Sequence, residues 1–173
     1  MIWMITGGAR SGKSRFAQEQ ALTFVGNPIY IATARRWDGD FQDRIKRHEN
    51  DRDERWTTIE EQKHIGSLEV EGKAVVIDCA TLWLTNFFVD EKNNIDRCLE
   101  LAKIEIDQLA TKQATILFIT NEIGMGVHAE TAIGRKFTDL QGWVNQYLAQ
   151  KAQKVTLMVS GIPMTVKAPT PHK

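Results

Sequence analysis

The sequence has few of the features that secreted, membrane-bound or nucleic-acid-binding proteins need. Its 173 residues include only two cysteines, Cys79 and Cys98, which form neither a C-x-x-C motif nor a metal-ligand spacing. We therefore expect buried free thiols in a reducing cytosol. The 22 basic and 22 acidic residues cancel, so the chain lacks the positive surplus that favours binding to nucleic acid or an anionic membrane.

Long apolar runs are also absent. No apolar stretch approaches the ~18 residues of a membrane span. The apolar N-terminal run is too short for a signal peptide and follows no basic region. Hydrophobic residues at 42% and charged residues at 25% are typical of globular proteins. Without a linker or an internal repeat, residues 1–173 are expected to form a single cytoplasmic domain that neither enters a membrane nor binds nucleic acid.

The stretch from Gly7 to Ser14 carries the clearest chemical signal. It reads GGARSGKS, fits the pattern G-x-x-x-x-G-K-[ST], and directly follows the apolar run Ile2–Ile5. Glycines permit a tight loop whose backbone N–H groups converge on phosphate. Lys13 can reach the β- and γ-phosphates, and the Ser14 hydroxyl can bind Mg²⁺. The alternative is a plain Gly/Ser-rich turn. The residues predicted to bind phosphate are Gly7, Gly8, Ala9, Arg10, Ser11, Gly12, Lys13 and Ser14.

Apolar runs alternate with amphipathic segments along the chain. Five strands are predicted at Met1–Thr6, Ile29–Thr33, Lys73–Asp78, Ala114–Thr120 and Val155–Ser160. Helices are predicted at Ser14–Val25, at Ile95–Ala110 with Asn94 as N-cap, and around Phe137–Leu148, while Thr81–Val89 is an apolar and aromatic run. This alternation predicts an α/β protein with a three-layer, P-loop NTPase-like fold and a mostly parallel central sheet.

Three further segments are less regular. The highly charged stretch Ala34–Arg55 contains Trp37, Phe41 and Ile45 at a spacing of four residues, which predicts an exposed helix with one apolar stripe. The stretch from Thr58 to Leu68 is predicted to form a second short helix. The tail Gly161–Lys173 contains three prolines and is expected to be irregular.

Asp78 and Asn121-Glu122 follow predicted strands, where ligands collect in parallel sheets. A carboxylate at Asp78 can hold Mg²⁺ directly or through water, although an aspartate there can also cap a helix or form a turn. The loop Ile123–Gly126 is able to close over a substrate. Its alternative is an ordinary connection between strand and helix.

His48 lies in the charged stretch. If that stretch is helical, Arg44, His48 and Arg52 share one face. Two guanidinium groups would disfavour protonation of the imidazole and attract a triphosphate. This setting suits a histidine nucleophile that attacks an α-phosphate. The alternative is a solvated charged surface with no role for the histidine.

Together these segments resemble the bifunctional adenosylcobinamide kinase/adenosylcobinamide-phosphate guanylyltransferase family of cobalamin biosynthesis. The resemblance covers the chain from Ile2 to about Lys167. Its motifs here are TGGARSGKS (Thr6–Ser14), YIATA (Tyr30–Ala34), RIKRH (Arg44–His48) with Trp56 and Glu60, VVIDCATLWLTN (Val75–Asn86), TNEIGMG (Thr120–Gly126), FTDLQGWVNQ (Phe137–Gln146) and VSGIPM (Val159–Met164).

The resemblance implies roles for particular residues. His48 corresponds to the histidine that becomes covalently guanylylated in the family. Besides the phosphate loop, the implied nucleotide contacts are Ala32, Thr33, Ala34, Glu49, Asn50, Asp51, Arg52, Glu60 and Asp78. Ser14 and Asp78 are the expected Mg²⁺ ligands, and Lys13 is catalytic together with His48. The chain departs from the family at Arg52-Asp53, where the family commonly has Arg-Pro.

The implied function is a pair of transfers. GTP or ATP phosphorylates the aminopropanol hydroxyl of adenosylcobinamide. GTP then donates GMP through a guanylyl-histidine to adenosylcobinamide phosphate, giving adenosylcobinamide-GDP. The resemblance also implies a homotrimer with the corrinoid between subunits. Two alternatives stay open: a P-loop kinase with one activity, which needs no His48, and a nucleotide switch or ATPase module, which needs no acceptor pocket.

Overall fold

The computed structural model describes residues 1–35 and 53–169. The strands are β1 (Ile2–Gly7), β2 (Ile29–Ala32), β3 (Thr57–Glu60), β4 (Ala74–Asp78), β5 (Thr115–Ile119), β6 (Lys154–Val159) and β7 (Ile162–Lys167). The α-helices are α1 (Lys13–Phe24), α2 (Ala80–Asp90), α3 (Ile95–Thr111) and α4 (Ala132–Lys151). Short 3₁₀ turns occur at Ile65–Ser67 and Ile123–Met125. All five predicted strands are therefore present, and so are the helices predicted from Ser14, from Ile95 and around Phe137–Leu148; the apolar run Thr81–Val89 lies in α2.

The strands form one seven-stranded sheet in the order β3-β2-β4-β5-β1-β6-β7. Every neighbouring pair is parallel except β6 with β7, which is antiparallel. Strand β5 lies between β1 and β4, so the strand before the phosphate loop and the strand that ends in Asp78 are not direct neighbours. The prediction of a mostly parallel sheet is confirmed.

Helices cover both faces of this sheet. Ile2 and Met4 of β1 enter the core between the sheet and α2, α3 and α4. Trp3 and Ile5 point to the other face and join the smaller core beneath α1. Because alternate residues of a strand face opposite sides, a strand buried on both faces is apolar throughout, as β1 is. The three-layer α/β architecture is confirmed.

The ends of two helices are fixed by side-chain caps. The Asn94 side chain accepts a hydrogen bond from the backbone N–H of Arg97 at 3.1 Å, which confirms the predicted N-cap of α3. Thr131 caps α4 in the same way through the backbone N–H of Gly134 at 3.0 Å. Both caps satisfy backbone donors that have no partner inside the helix.

The predicted helix from Thr58 to Leu68 is wrong. Thr57–Glu60 instead forms β3 at the edge of the sheet, and Ile65–Ser67 forms a single 3₁₀ turn. Its apolar residues contact the core without forming a helix: Ile65 is buried there, and Ile59 and Leu68 are partly buried against it. Parallel pairing with β2, a partner distant in sequence, determines the local structure here.

The expectation of an irregular tail is also wrong as far as Lys167. Residues Ile162–Lys167 form β7, which pairs with β6 through a tight hairpin. Its two loop residues, Ser160 and Gly161, have φ values of 51° and 85°. Positive φ at both positions matches the type I′ turn that suits a twisted hairpin. All six residues of this edge strand are exposed, and its apolar residues Ile162, Met164 and Val166 alternate with Pro163, Thr165 and Lys167.

Three further expectations concern the cysteines, membrane-spanning helices and the charged segment. Cys79 and Cys98 are buried free thiols, as predicted. Burial raises the pKa of the Cys79 thiol to about 12, so this thiol stays protonated and is not a nucleophile. No helix within the described residues has both the length and the apolar character needed to cross a membrane. The predicted helix through Trp37, Phe41 and Ile45 lies outside the described residues.

Candidate nucleotide-binding site

The carboxyl ends of the parallel strands bring several predicted site residues to one edge of the sheet. In β2, Ala32 is in register with Glu60 of β3 on one side and with Asp78 of β4 on the other. Across β5, the backbone N–H of Glu122 donates to the carbonyl of Gly7 at 3.2 Å. Ligands bind at this edge of open α/β sheets. The structure therefore places the phosphate loop, Ala32, Glu60 and Asp78 on the ligand-binding side.

The loop between β1 and α1 has its lysine folded back over it. Lys13 is buried, and its Nζ donates to the carbonyl of Gly8 at 2.6 Å and to Ser11 Oγ at 3.4 Å. The helix begins at Lys13, so the backbone N–H groups of its first turn face the loop. A positive helix end beside a lysine favours a phosphate group.

Two glycines of the loop are required by close contacts. At Gly7 (φ 150°), an added Cβ would lie 2.6 Å from the Met158 carbonyl oxygen and 2.9 Å from Ser11 Oγ. At Gly12 (φ 93°), it would lie 3.3 Å from the Cα of Gly161. The backbone N–H of Gly161 also donates to the Ser11 carbonyl at 3.0 Å. The turn between β6 and β7 therefore supports the loop, a role that the sequence did not reveal.

Gly7→Ala is expected to weaken nucleotide binding at least about tenfold, or about 1.4 kcal/mol. The new methyl would force β6 and the loop apart and displace the backbone N–H groups that bind phosphate. Isothermal titration with GTP measures the change. Gly26→Ala is the control, because a Cβ at this exposed glycine meets nothing within 4 Å. Equal affinity of Gly7→Ala and the wild type would show that the loop tolerates the displacement.

Asp78 and Ser14, the two predicted Mg²⁺ ligands, lie at the end of β4 and in the first turn of α1. Asp78 ends β4, and its Oδ2 accepts a hydrogen bond from the Tyr30 hydroxyl at 2.9 Å. Ser14 is the second residue of α1 and is partly exposed. The tyrosine orients the carboxylate, and the Trp56 ring packs edge-on against Tyr30 at 6.2 Å. Sequence reasoning found Asp78 but missed its tyrosine partner, which is 48 residues away.

The segment Ala32–Ala34 is held in place by buried hydrogen bonds. Thr33 is fully buried, and its Oγ1 donates to the Cys79 carbonyl at 2.9 Å. The Asn86 side chain donates to the Thr33 carbonyl at 2.8 Å. These contacts fix the backbone directly after β2, where the resemblance implies nucleotide contacts. They stabilise the geometry of the segment whatever it binds.

An ion cluster lies just beyond this segment. Both terminal nitrogens of Arg35 donate to Asp90 at 2.9 Å, and Lys63 Nζ donates to the same carboxylate at 2.8 Å. The hydrogen bonds from Arg35, and then those from Lys63, hold the pKa of the Asp90 carboxyl well below its usual range. Arg35 also donates to Gln62 at 2.9 Å. The cluster ties α2 to the chain where the described N-terminal part ends.

Five of the predicted site residues lie outside the described residues: His48, Glu49, Asn50, Asp51 and Arg52. The description resumes at Asp53, where the family commonly has proline. The Asp53 carboxylate accepts from the backbone N–H of Arg55 at 3.0 Å, and the backbone N–H of Trp56 donates to the Asp53 carbonyl at 3.2 Å. Asp53 thus forms a side-chain-stabilised turn that leads into β3 without proline.

Glu122 has more partners than its sequence position indicated. Its Oε1 accepts from the Thr6 hydroxyl at 2.6 Å and from the Asn145 amide at 3.3 Å. Asn121 turns the other way and donates to Thr81 Oγ1 at 2.8 Å. Sequence reasoning placed Asn121 and Glu122 at the correct edge but missed Thr6 and Asn145.

The glycine-rich loop between a buried strand and a helix, with an acidic residue ending a second strand, defines a P-loop nucleotide-binding protein. The family model for cobinamide kinase / cobinamide phosphate guanyltransferase matches residues 3–166. The chain therefore belongs to the cobinamide kinase / cobinamide phosphate guanyltransferase family, a family of bifunctional enzymes in cobalamin biosynthesis. The resemblance seen in the sequence is confirmed.

Curated relatives agree with this membership. The chain is 36% identical to the bifunctional adenosylcobalamin biosynthesis protein CobP of Pseudomonas aeruginosa over 95% of its own length and 96% of that protein. It is also 36% identical to the protein CobU of Escherichia coli K12, covering 96% of this chain and all of the relative. A solved protein from Pyrococcus horikoshii OT3 shares the fold with a TM-score of 0.55 at 7% identity, covering 98% of this chain and 87% of that one.

Proposed function

We propose that this protein phosphorylates the aminopropanol hydroxyl of adenosylcobinamide and then transfers GMP from GTP to the phosphorylated corrinoid. The observation that carries the proposal is the phosphate loop at the sheet edge that also holds Asp78. The Lys13 ammonium lies 2.6 Å from the loop carbonyl of Gly8, where it can move onto a bound triphosphate. In the kinase step this charge stabilises the γ-phosphoryl group during transfer.

The second transfer is proposed to pass through His48. The imidazole attacks the α-phosphate of GTP, pyrophosphate leaves, and a guanylyl-histidine forms. The corrinoid phosphate then attacks the phosphorus of this phosphoramidate and takes the GMP. The support is family membership together with the arginine-flanked sequence around His48, since neighbouring cations keep the imidazole unprotonated and attract phosphate. Nucleotide contacts from Glu49–Arg52, Ala32–Ala34 and Glu60 are part of the same proposal.

Mg²⁺ is the proposed metal, with Ser14 and Asp78 as its protein ligands. A hydroxyl and a carboxylate are hard oxygen donors of the kind that Mg²⁺ prefers. Within residues 1–35 and 53–169, no group of three or more His, Cys, Asp or Glu side chains is arranged to hold a metal. With a nucleotide, Mg²⁺ is usually held by one or two protein oxygens together with phosphates and water. Bound Mg²⁺ would neutralise charge that develops on the phosphates.

We further propose that the protein acts in the cytoplasm as a homotrimer with the corrinoid between subunits. Family resemblance is the main support. Strand β7 adds to it, because Ile162, Met164 and Val166 expose 65%, 52% and 65% of their surfaces at a sheet edge. Phe88 takes no part in this exposed surface, because it is buried with its ring centroid 5.3 Å from that of Phe137.

The proposed function is tested by supplying the purified protein with adenosylcobinamide, Mg²⁺ and GTP. We expect adenosylcobinamide phosphate to appear first and adenosylcobinamide-GDP to follow, as followed by chromatography and mass spectrometry. ATP in place of GTP shows whether the kinase step accepts either nucleotide. Phosphorylation without GMP transfer would favour a kinase with one activity. GTP hydrolysis that no corrinoid affects would favour a nucleotide switch or ATPase module.

A further inference from the structure

Glu122 is attached directly to the base of the phosphate loop. It follows β5, between the strand that leads into the loop and the strand that ends in Asp78. Its backbone N–H donates to Gly7, the first residue of the loop, at 3.2 Å. Its Oε1 accepts from Thr6, the residue before the loop, at 2.6 Å. A carboxylate therefore has a fixed position relative to any phosphate that the loop holds.

The position of this carboxylate is reinforced from the opposite side by a buried polar network. Asn145, which donates to Glu122 Oε1 at 3.3 Å, accepts from the Thr120 hydroxyl at 2.6 Å and from the Gln141 amide at 3.0 Å. Thr120, Gln141 and Asn145 are all buried. Such a network rigidifies the group that it surrounds. It acts on Oε1, and Oε2 accepts no hydrogen bond from residues 1–35 or 53–169.

A cavity begins at the next residue along the chain. It has a volume of about 280 Å³, and its lining includes Gly124, Val127, His128, Arg135, Thr138 and Asp139. Val127 is 96% exposed, and neighbouring Met125 is 74% exposed. The lining thus mixes apolar surface with a few polar groups, as small-molecule sites do. A cobinamide matches this lining, since its apolar macrocycle carries amide side chains and an arm that ends in an alcohol.

We propose that Glu122 accepts the proton of the substrate alcohol in the kinase reaction, and that the cavity beside it holds part of the corrinoid. This inference rests on the proposed function. The alcohol oxygen forms a bond to the γ-phosphorus while the bond from that phosphorus to the β-phosphate oxygen breaks. The nucleoside diphosphate leaves with the bonding electron pair. The alcohol proton passes to Glu122 Oε2 and later to water.

The second transfer makes no demand on this carboxylate. Its nucleophiles are an imidazole nitrogen and then a phosphate oxygen, and neither attack removes a proton from an alcohol. Loss of Glu122 should therefore separate the two reactions. A residue needed only to hold the nucleotide or Mg²⁺ would affect both.

Glu122→Gln tests the role of the carboxylate. The amide oxygen of glutamine can still accept from Thr6 and Asn145, so the fold and the loop should be preserved. We expect kcat for phosphorylation of adenosylcobinamide to fall about 10²- to 10⁴-fold, the range for loss of a general base. Self-guanylylation by α-labelled GTP and the melting temperature should match the wild type. Glu130→Gln, an exposed glutamate in the same connection, is the matched control and should retain full kinase activity.

The outcomes are distinct. Normal phosphorylation by Glu122→Gln would overturn the role of Glu122, and a parallel loss of self-guanylylation would assign it to nucleotide binding instead. If the wild type does not phosphorylate adenosylcobinamide, the proposed function itself fails.

The cavity is tested separately by Val127→Glu. Val127 is 96% exposed, so a glutamate there should not disturb the core. We expect its KM for adenosylcobinamide to rise at least about tenfold with little change in kcat. An unchanged KM would remove the cavity from the corrinoid site.

Discussion

Lys13→Ala should lower kcat/KM for both transfers by at least about 10²- to 10³-fold. This is the usual loss when a preorganised electrostatic group is removed. The reason lies in the single loop that both reactions use in the proposed function. Lys13 is buried, and its Nζ donates to the carbonyl of Gly8 in that loop. Alanine would remove the charge from γ-phosphoryl transfer and from the positioning of GTP for attack at its α-phosphorus.

Steady-state kinetics of phosphorylation and the rate of self-guanylylation measure this effect. Lys112→Ala is the matched control, because Lys112 follows α3 at the opposite edge of the sheet and pairs only loosely with Glu71 at 3.8 Å. Both variants should melt within a few degrees of the wild type. If Lys13→Ala still becomes guanylylated at the normal rate, the two activities must use separate nucleotide sites, and the single-loop proposal is wrong.

Local signals explain why the loop and its flanking elements were predictable. A run of buried β-prone residues, a glycine pattern and a helix start all lie within Ile2–Phe24. Each signal concerns residues that are neighbours in sequence. The same holds for β4 and Asp78, where an apolar strand ends in a carboxylate. Propensity and periodicity are most reliable under these conditions.

The two missed strands were missed for different reasons. Thr57–Glu60 contains one partly buried apolar residue, and it becomes a strand because it pairs with β2, whose residues lie 28 positions earlier in the chain. Strand β7 had two local signals, although it is exposed along its whole length. Its apolar residues Ile162, Met164 and Val166 alternate with the others, and the Ser160-Gly161 pair after an apolar run is a hairpin signal. Prolines in the tail outweighed these signals in the prediction.

The candidate site shows the same limit. Position along the sequence placed Glu122 at the ligand-binding edge, but its chemistry depends on Thr6, 116 residues earlier, and on Asn145, 23 residues later. Only the parallel register of β1 with β5, and the packing of α4 behind them, bring these side chains together. Tyr30 and Asp78 meet for the same reason, across paired strands.

His48→Ala should separate the two transfers in the opposite sense to Glu122→Gln. Without the imidazole no phosphoramidate can form, so labelling by α-labelled GTP should drop on the order of 10³-fold or more, as expected for loss of a nucleophile. Phosphorylation of adenosylcobinamide should stay within about threefold of the wild type, because the γ-phosphoryl transfer uses the loop and not the histidine. Adenosylcobinamide phosphate should then accumulate.

The label itself identifies the linkage, since a phosphoramidate is labile to acid and stable to alkali. His64→Ala is the control: His64 is exposed, and its Nδ1 lies 3.3 Å from Glu105, on the α3 side of the sheet. It should label like the wild type. Persistent acid-labile label in His48→Ala would contradict the assignment and move the nucleophile elsewhere. Loss of both reactions in His48→Ala would instead mean that the charged segment also binds the triphosphate for phosphorylation, so that one nucleotide position serves the two transfers.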